Sequence, residues 1–257
     1  MNNEKILESK VIVISGGTKG VGRDLAIACA NEGARVVING RDEASAKSIL
    51  QSILANGGEA QFVATDLNNP DSCESMFNTA FHSYGSVDGF VNYAGVTSIG
   101  TLLDTDLDTF NRVMDVNFRA AFFCCQHAVN YMKKSNGGSI ILVGSCHASR
   151  GEKDRAAYAC SKGALRTLCE HIAFHYGKDQ VRCNTLTMGW SLTDGELALR
   201  KEQGVSAEEV KRIAQEAIPM GRMQESEDYI PGMMYLLSDA SSMVSGSELR
   251  VSGGLYL

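Results

Sequence analysis

A tyrosine and a lysine four residues apart form a pair that could move a proton. Tyr158 and Lys162 stand in the run YACSK, and this spacing places both side chains on one face of a helix. A phenol has a pKa of about 10, and a neighbouring ammonium favours its phenolate. Ser145 follows the apolar run Ser139–Val143 and could hold a carbonyl oxygen beside the phenol. The three side chains therefore predict proton transfer to or from such an oxygen.

A glycine-rich turn follows the first apolar run of the chain. Val11–Ile14 leads into SGGTKGVG at residues 15–22, which places glycines at Gly16, Gly20 and Gly22. Glycines let a backbone approach a pyrophosphate, and a following helix N-terminus offers free N–H groups and a positive dipole. The spacing is not GxGxxG, but the first strand-to-helix loop is where doubly wound sheets bind nucleotides. We therefore predict a dinucleotide site at this turn.

The end of the second apolar run indicates which dinucleotide binds. Residues 38–41 read Ile-Asn-Gly-Arg and lack the acid that would bind the ribose of NAD. Arg41 could accept a 2′-phosphate instead, and Lys19 in the glycine-rich turn would add a second cation. Both could also be solvated surface charges, but their joint placement favours NADP(H).

These groups must be positioned by alternating strands and helices. Strands are predicted at Val11–Ile14, Val36–Ile38, Gln61–Ala64, Gly89–Val91, Ser139–Val143, Val181–Leu186 and Glu248–Val251. Helices are predicted at Gly22–Asn31, Ala44–Asn56, Pro70–Tyr84, Phe110–Lys134, Tyr158–Tyr176 and Asp228–Leu237. Buried strands separated by helices are typical of an α/β fold with a doubly wound parallel sheet.

We expect residues 1–257 to form a single domain, because no shift of composition marks a linker. The stretch at about 190–223 interrupts the alternation and is polar and helical in character. We predict that this segment is a mobile substrate lid, with Met188, Trp190 and Leu192 forming an apolar entrance.

Charge and composition exclude several classes of protein. A net charge of −6 argues against nucleic-acid binding. We see no signal peptide and no apolar run long enough to span a membrane, and we expect a soluble, cytoplasmic protein. The 8 cysteines form no CxxC pair, which predicts reduced, buried thiols and no metal site.

Together with Asn-Tyr-Ala-Gly at residues 92–95, these motifs resemble the short-chain dehydrogenase/reductase family over nearly the whole chain. The family's TGxxxGxG loop matches residues 15–22, and its NNAG motif matches residues 92–95. Its serine, tyrosine and lysine match Ser145, Tyr158 and Lys162. The resemblance implies a Rossmann-type fold and an oxidoreductase acting on a CH–OH group, similar to the NADP-dependent 3-oxoacyl reductase or ketone reductase branch.

The resemblance also implies a role for each site residue. Tyr158 would protonate the carbonyl oxygen, Ser145 would orient that oxygen, and Lys162 would bind the ribose and lower the pKa of Tyr158. Asn117 would hold a water in the proton relay. The implied cofactor-binding residues are Gly16, Thr18, Lys19, Gly20, Val21, Gly22, Arg41, Asp66, Leu67, Asn92, Ala94, Gly95, Tyr158, Lys162, Gly189 and Thr193.

Three residues depart from the family pattern. Tyr93 replaces the second asparagine of NNAG, Met188 stands where a proline usually precedes glycine, and Ser15 replaces threonine. We expect His147 and Trp190 to line the substrate pocket. A catalytic pair of adjacent cysteine and histidine before Tyr158 is disfavoured, because neighbouring side chains on an extended chain point in opposite directions.

Three functions are compatible with these residues. The leading hypothesis is an NADP-dependent oxidoreductase that acts on a ketone or secondary alcohol. A 3-oxoacyl reductase acting on an acyl carrier protein or CoA is weakened by the acidic and histidine-rich stretch at residues 170–175, where such enzymes commonly present arginine. A non-catalytic NADP-binding regulatory protein has little physical reason to keep the complete catalytic set.

The substrate and the assembly are predicted from surface segments. We expect a medium-sized ketone with an apolar body, or one with an anionic tail if Arg150 or Arg155 turns inward. Residues 118–125 are apolar almost all round their helix, so a partner should cover one face. The family resemblance suggests a homotetramer built on this helix and on the helix over Tyr158–Tyr176.

Overall fold

The structure is a computed structural model that describes residues 5–256. A parallel seven-stranded sheet has the strand order β3-β2-β1-β4-β5-β6-β7. Its strands are β1 (Val11–Ser15), β2 (Arg35–Gly40), β3 (Glu59–Ala64), β4 (Gly89–Asn92), β5 (Gly138–Ser145), β6 (Val181–Met188) and β7 (Glu248–Val251). The predicted α/β fold with a doubly wound parallel sheet is confirmed, and the predicted strand ends differ from the observed ends by two residues or fewer.

Helices connect the strands. They are α1 (Gly20–Asn31), α2 (Glu43–Ala55), α3 (Ser75–Tyr84), α4 (Leu107–Met114), α5 (Ala120–Lys134), α6 (Ala156–Tyr176), α7 (Asp194–Glu202), α8 (Ala207–Ala217) and α9 (Ser226–Leu237). The single helix predicted over Phe110–Lys134 is instead α4 and α5, joined by a π-helical turn at Asp115–Arg119. The helix predicted from Pro70 begins only at Ser75, after a short 3₁₀ turn.

Apolar layers cover both faces of the sheet. On one face α3, α5 and α6 bury side chains such as Phe77, Phe90 and Met132. On the other face α1, α2 and α9 bury Leu25 and Met233 among others. Burial on both faces explains why a central strand such as β1 reads as a nearly continuous β-branched run rather than as an alternating one.

The strand order reverses direction beside β1, and this reversal positions the site. Because β1 pairs with both β2 and β4, the connections that follow β1 and β4 leave the sheet on opposite sides. Ser15 is in register with Asn92, and Ser145 is in register with Met188. The loops after β1, β4, β5 and β6 therefore meet at one edge of the sheet.

No helix within residues 5–256 combines the length and the apolar character needed to cross a membrane.

All 8 cysteines are free, and all except the exposed Cys160 are buried. Burial of the other thiols agrees with the prediction. Within residues 5–256, no three potential metal ligands of the His, Cys, Asp or Glu type come together.

Candidate active site

The serine, tyrosine and lysine singled out in the sequence line one cleft of about 710 Å³. Ser145 is the last residue of β5, and Tyr158 and Lys162 lie in the first two turns of α6. The hydroxyl groups of Ser145 and Tyr158 are hydrogen-bonded. A strand end and a helix start thus bring together groups that are far apart in the sequence.

Burial controls the proton affinity of these groups. It raises the pKa of Tyr158 above its ordinary value, and the hydrogen bond with Ser145 lowers it by less. Lys162 donates to the carbonyl oxygen of Val143 at 2.9 Å, and its Nζ lies 5.8 Å from the Tyr158 ring centroid. Desolvation dominates the pKa of Tyr158, and the Lys162 ammonium is bonded to the Val143 carbonyl.

Lys162→Met should stabilise the folded protein at neutral pH. Burial lowers the pKa of Lys162 from 10.5 to about 8, so at neutral pH the folded state carries a costly buried charge. We expect a gain of about 2 kcal/mol, after subtracting ~1 kcal/mol for the lost hydrogen bond, and an unfolding temperature about 5 °C higher. Thermal unfolding followed by circular dichroism measures the shift.

The pH dependence of this gain has a defined sign. As the pH rises from about 8 to 10.5, the folded state loses the Lys162 proton before the unfolded state does, so the wild type recovers stability. The advantage of Lys162→Met should therefore shrink over this window. Lys47→Met replaces an exposed lysine on α2 and is the matched control, with no expected shift. A lower unfolding temperature for Lys162→Met at neutral pH would refute the argument.

Asn117 lies in the π-helical turn, and its side chain is fully buried. Its Oδ1 accepts from the Val96 backbone N–H at 2.7 Å, and its Nδ2 donates to the Val96 carbonyl at 2.9 Å and to Ser161 Oγ at 3.0 Å. Ser161 Oγ in turn donates to the carbonyl of Tyr158 at 2.7 Å. The amide therefore ties the loop after β4 to α6.

The glycine-rich turn packs closely against the loop after β4. Gly16 has a φ of +72°, and a Cβ there would lie 2.9 Å from the Cα of Ala94. Ser15 Oγ donates to Asn92 Oδ1 at 3.2 Å and accepts from the Ala94 N–H at 3.3 Å. Asn92 Nδ2 is buried and has no hydrogen-bond partner among residues 5–256. In this structure Asn92 and Ala94 hold the two loops together.

Tyr93 has a role that sequence reasoning missed. Its hydroxyl accepts a hydrogen bond from the Val21 N–H in the first turn of α1, and burial raises its pKa to about 12. A Cβ at Gly22 would lie 2.8 Å from the Tyr93 ring. Tyr93, treated above only as a departure from NNAG, therefore braces the glycine-rich turn.

The predicted 2′-phosphate region contains an acid that was overlooked. Arg41 is exposed and borders a shallow pocket together with Thr18, Lys19 and Asp42. Lys19 Nζ lies 3.1 Å from Asp42 Oδ2. Asp42 caps α2, and hydrogen bonds from Ser45 and then Lys19 lower its pKa to about 2. The charge of Lys19 is thus offset, whereas Arg41 forms no salt bridge with any of residues 5–256.

The side chains of the other predicted cofactor-binding residues differ in whether a ligand could contact them. Asp66 is exposed and accepts the Asn68 N–H at 3.0 Å. Leu67 and Val21 are buried in the apolar layers, so only their main-chain atoms could meet a ligand. Thr193 Oγ1 accepts the Glu196 N–H at 3.2 Å as the cap of α7.

Several remaining residues face the cleft directly. Gly95 and Gly189 line it, and a Cβ at Gly189 would lie 2.7 Å from the Cα of Ser252. Gly20 has a φ of +53°, and only the Tyr93 hydroxyl would lie within 4 Å of a Cβ there. The turn at Gly20 therefore leaves space beside the first N–H groups of α1.

The substrate side of the cleft is polar and aromatic. The predicted residues His147 and Trp190 both line it. Arg155 is buried and turns inward, whereas Arg150 is exposed and lies over the Tyr256 ring. Sequence reasoning missed Glu196, Arg200 and Tyr256 in the lining, because α7 and the residues after β7 carry no readable motif.

The donor set fits a nicotinamide dinucleotide. Glycines without room for a Cβ bring the backbone of the first turn close to a helix N-terminus, which suits a pyrophosphate. Arg41 remains exposed beside this turn, and the buried Lys162 lies further along the same edge of the sheet. The buried side-chain Nδ2 of Asn92, at the end of β4, is a hydrogen-bond donor without a partner among residues 5–256.

Comparison with known proteins agrees with this geometry. A family model described as enoyl-(acyl carrier protein) reductase matches residues 16–256. An L-rhamnose 1-dehydrogenase (NAD(P)(+)) from Azotobacter vinelandii is 34% identical, with 98% of each chain covered. A 3beta-hydroxysteroid dehydrogenase from Mediterraneibacter gnavus is 30% identical, covering 96% of this chain and 95% of the relative.

A solved structure extends the comparison. A short-chain type dehydrogenase/reductase from Mycobacterium ulcerans superposes with a TM-score of 0.90 at 30% identity, covering 96% of this chain and 90% of the other. The similarity thus spans both the sheet and the cleft. On this sequence and structural similarity, the chain belongs to the short-chain dehydrogenase/reductase family, whose members are oxidoreductases that use a nicotinamide cofactor.

Proposed function

We propose that the protein transfers hydride between NADP(H) and a ketone or secondary alcohol, with Tyr158 as the general acid and base. The observation that carries this proposal is the convergence of Ser145, Tyr158 and Lys162 in a cleft whose lining includes Tyr93, the residue that packs against the glycine-rich turn. Following nicotinamide absorbance with NADPH and a panel of carbonyl compounds tests it. No cofactor oxidation with any carbonyl would contradict it.

The chain's own residues supply the proton chemistry. When bound, the nicotinamide supplies hydride to the carbonyl carbon or accepts it from the alcohol carbon. Ser145 holds the carbonyl oxygen, and Tyr158 gives that oxygen its proton. A raised pKa keeps Tyr158 protonated at neutral pH, as a donor must be. The phenolate that remains is stabilised by the Lys162 ammonium, and oxidation of the alcohol reverses both transfers.

We assign the cofactor to the carboxyl edge of β1, β2, β4 and β6. The glycine-rich turn would hold the pyrophosphate, and Lys162 the ribose next to the nicotinamide. Arg41 would bind the 2′-phosphate, and Asp66 would lie beside the adenine. Thr193 can still donate its hydroxyl proton to the carboxamide, because its oxygen acts only as an acceptor in the α7 cap.

The surface of α6 gives little support to the alternative that the substrate is bound to an acyl carrier protein. Arg166 is exposed on α6, as a carrier-binding arginine would be. However, Arg166 pairs with Glu170 at 3.3 Å and lies 3.8 Å from Glu248. These carboxylates offset the charge that would attract an acidic carrier.

We propose that the segment at 190–223 is a lid over the cleft. Its helices α7 and α8 share a small apolar cluster with Cys146 from the loop after β5 and Leu255 near the chain end. Ile213 and Ala217 of α8 reach the cleft lining. Eight residues of the segment line the cleft, so its closure over a substrate would exclude water and its opening would allow exchange.

We also expect a homotetramer. Phe122 on α5 remains 44% exposed although the opposite face of the helix is buried, and an uncovered aromatic face favours association. Light scattering at micromolar concentration should give four times the mass of one chain. A monomeric mass would contradict the expectation, and Phe122→Glu should weaken the assembly.

The names of the relatives do not define the substrate. One is named for a sugar and the other for a steroid, and these differ greatly in polarity. The substrate class must therefore be inferred from the lining of this chain's own cleft.

A further inference from the structure

Apart from Lys162, the charged side chains that line the cleft form a wall in which the positive charges are compensated. The guanidinium groups of Arg155 and Arg200 and the carboxylates of Glu152, Asp154 and Glu196 all line it. With two cations facing three anions, this wall has no excess positive charge. An anionic substrate tail would have to compete with carboxylates that are already in place.

Each arginine has a carboxylate partner at short range. Arg155 Nη1 lies 3.1 Å from Asp154 Oδ2, and the Arg155 side chain is only 7% exposed. Arg200 Nε donates to Glu196 Oε1 at 2.7 Å. An anionic tail on the substrate was expected only if Arg150 or Arg155 turned inward. Arg155 does turn inward, but its positive charge is paired with Asp154 and is no longer free for such a tail.

Paired charges still offer hydrogen bonds. A guanidinium has five N–H donors and a carboxylate about four acceptor positions, so one ion pair leaves several of each available. An apolar ketone would desolvate these groups without replacing their water, at about 1–3 kcal/mol for each unsatisfied group. Hydroxyl groups donate and accept at the same atom and can satisfy both kinds of partner.

Aromatic rings complete the wall and are held in place. Trp190 Nε1 donates to Glu196 Oε1 at 2.7 Å, and Arg200 Cζ lies 5.0 Å from the Trp190 ring centroid. On the other side, the Tyr256 ring centroid lies 5.9 Å from that of His147. Flat rings suit the C–H faces of a compact ring-shaped or chain-like polyol.

The imidazole of His147 lies close to Tyr158 and has a nitrogen with no hydrogen-bond partner among residues 5–256. Its ring centroid lies 6.0 Å from that of Tyr158, and its backbone N–H donates to Ser145 Oγ at 3.3 Å. Its Nδ1 is buried without a hydrogen-bond partner among residues 5–256. Burial lowers the pKa of His147, so the neutral ring has one donor and one acceptor nitrogen.

We propose that the substrate is a neutral compound carrying several hydroxyl groups, and that His147 binds a hydroxyl close to the reacting carbon. This inference rests on the proposed function and makes the substrate more polar than the apolar ketone expected from sequence. Glu152, Glu196 and Arg155 receive the more distant hydroxyl groups. His147 thereby selects a substrate with an oxygen beside the carbon that is oxidised or reduced.

A matched set of substrates tests the class. Wild-type kcat/KM is compared for polyhydroxylated sugars, their deoxy analogues lacking one hydroxyl next to the reacting carbon, apolar ketones of similar size, and hydroxy acids. We expect the best sugar to exceed its deoxy analogue by at least about a hundredfold, because buried polar groups are left unpaired. A higher kcat/KM for the apolar ketones or for the hydroxy acids would overturn the proposal.

Variants of His147 test its role. His147→Leu should lower kcat/KM for the sugar at least about tenfold more than for the deoxy analogue. His147→Gln keeps a donor and an acceptor and should restore most of the difference. His82→Leu, at an exposed position on α3, is the control and should change neither value. Equal losses with both substrates would remove His147 from hydroxyl recognition.

Direct binding separates this inference from the proposed function. If no compound is turned over, the proposed reaction fails, and calorimetric titration of the same compounds into the protein with NADP⁺ still measures their preference. Tighter binding of the sugar than of its deoxy analogue, weakened in His147→Leu, would support the inference alone. Equal or absent binding of the sugar would overturn it.

Discussion

Tyr158→Phe should lower kcat by about a thousandfold while leaving cofactor binding intact. The substitution keeps the ring that contributes to the cleft lining and removes only the hydroxyl that we propose as proton donor. General acid catalysis typically contributes about 10²- to 10⁴-fold, and an interaction made only in the transition state lowers kcat and kcat/KM together. Steady-state kinetics and NADPH titration by fluorescence measure the two effects.

A second tyrosine on the same helix gives the matched control. Tyr176 is the last residue of α6 and packs against the apolar layer rather than the cleft. Tyr176→Phe should keep kcat within about twofold of the wild type. Near-normal turnover in Tyr158→Phe, or an equal loss in both variants, would remove Tyr158 from the role of general acid.

NADPH should be preferred over NADH by at least about tenfold in kcat/KM, equivalent to ~1.4 kcal/mol. Asp42 Oδ2 lies 3.1 Å from Lys19 Nζ and offsets the charge of Lys19. Arg41 is therefore the cation that remains to bind the 2′-phosphate. Arg41→Asp should reverse the preference, since a carboxylate there repels the phosphate. Ratios of kcat/KM for the two cofactors, measured with one substrate, give the result.

Asp42 provides a variant with the opposite effect. Asp42→Asn keeps an N-cap for α2 but frees Lys19 from its carboxylate, so the preference for NADPH should increase. Equal efficiency of the wild type with both cofactors would contradict the assignment of Arg41. A preference that Arg41→Asp leaves unchanged would do the same.

Most of the fold could be predicted because both faces of the sheet are buried. Four of the five residues of β1 are β-branched, and such a run is distinct from the helices that separate the strands. The break between α4 and α5 could not be predicted in this way. The π-helical turn at Asp115–Arg119 keeps helical periodicity in the sequence, and only the bonds between Asn117 and Val96 reveal why the helix is interrupted.

The chemical groups of the site could be found from sequence, but their electrostatic surroundings could not. Tyr158 and Lys162 share a helix, so their spacing places them together. The partner of Lys162 is Val143 on β5, and the partner of Lys19 is Asp42 at the start of α2. Such contacts depend on how separate elements pack. Asp154 and Arg155 are adjacent in the sequence, but their placement in the cleft depends on the packing of the loop before α6.

We propose that Tyr158 protonates a carbonyl while a bound nicotinamide is oxidised, and a single-turnover experiment can follow this step in isolation. Protein preloaded with one equivalent of NADPH is mixed rapidly with excess carbonyl substrate, and nicotinamide absorbance is followed. We expect the wild type to oxidise all bound NADPH in one fast phase, whereas Tyr158→Phe binds NADPH and oxidises it about a thousandfold more slowly. Equal rates in the two proteins, or no oxidation by the wild type, would contradict the account.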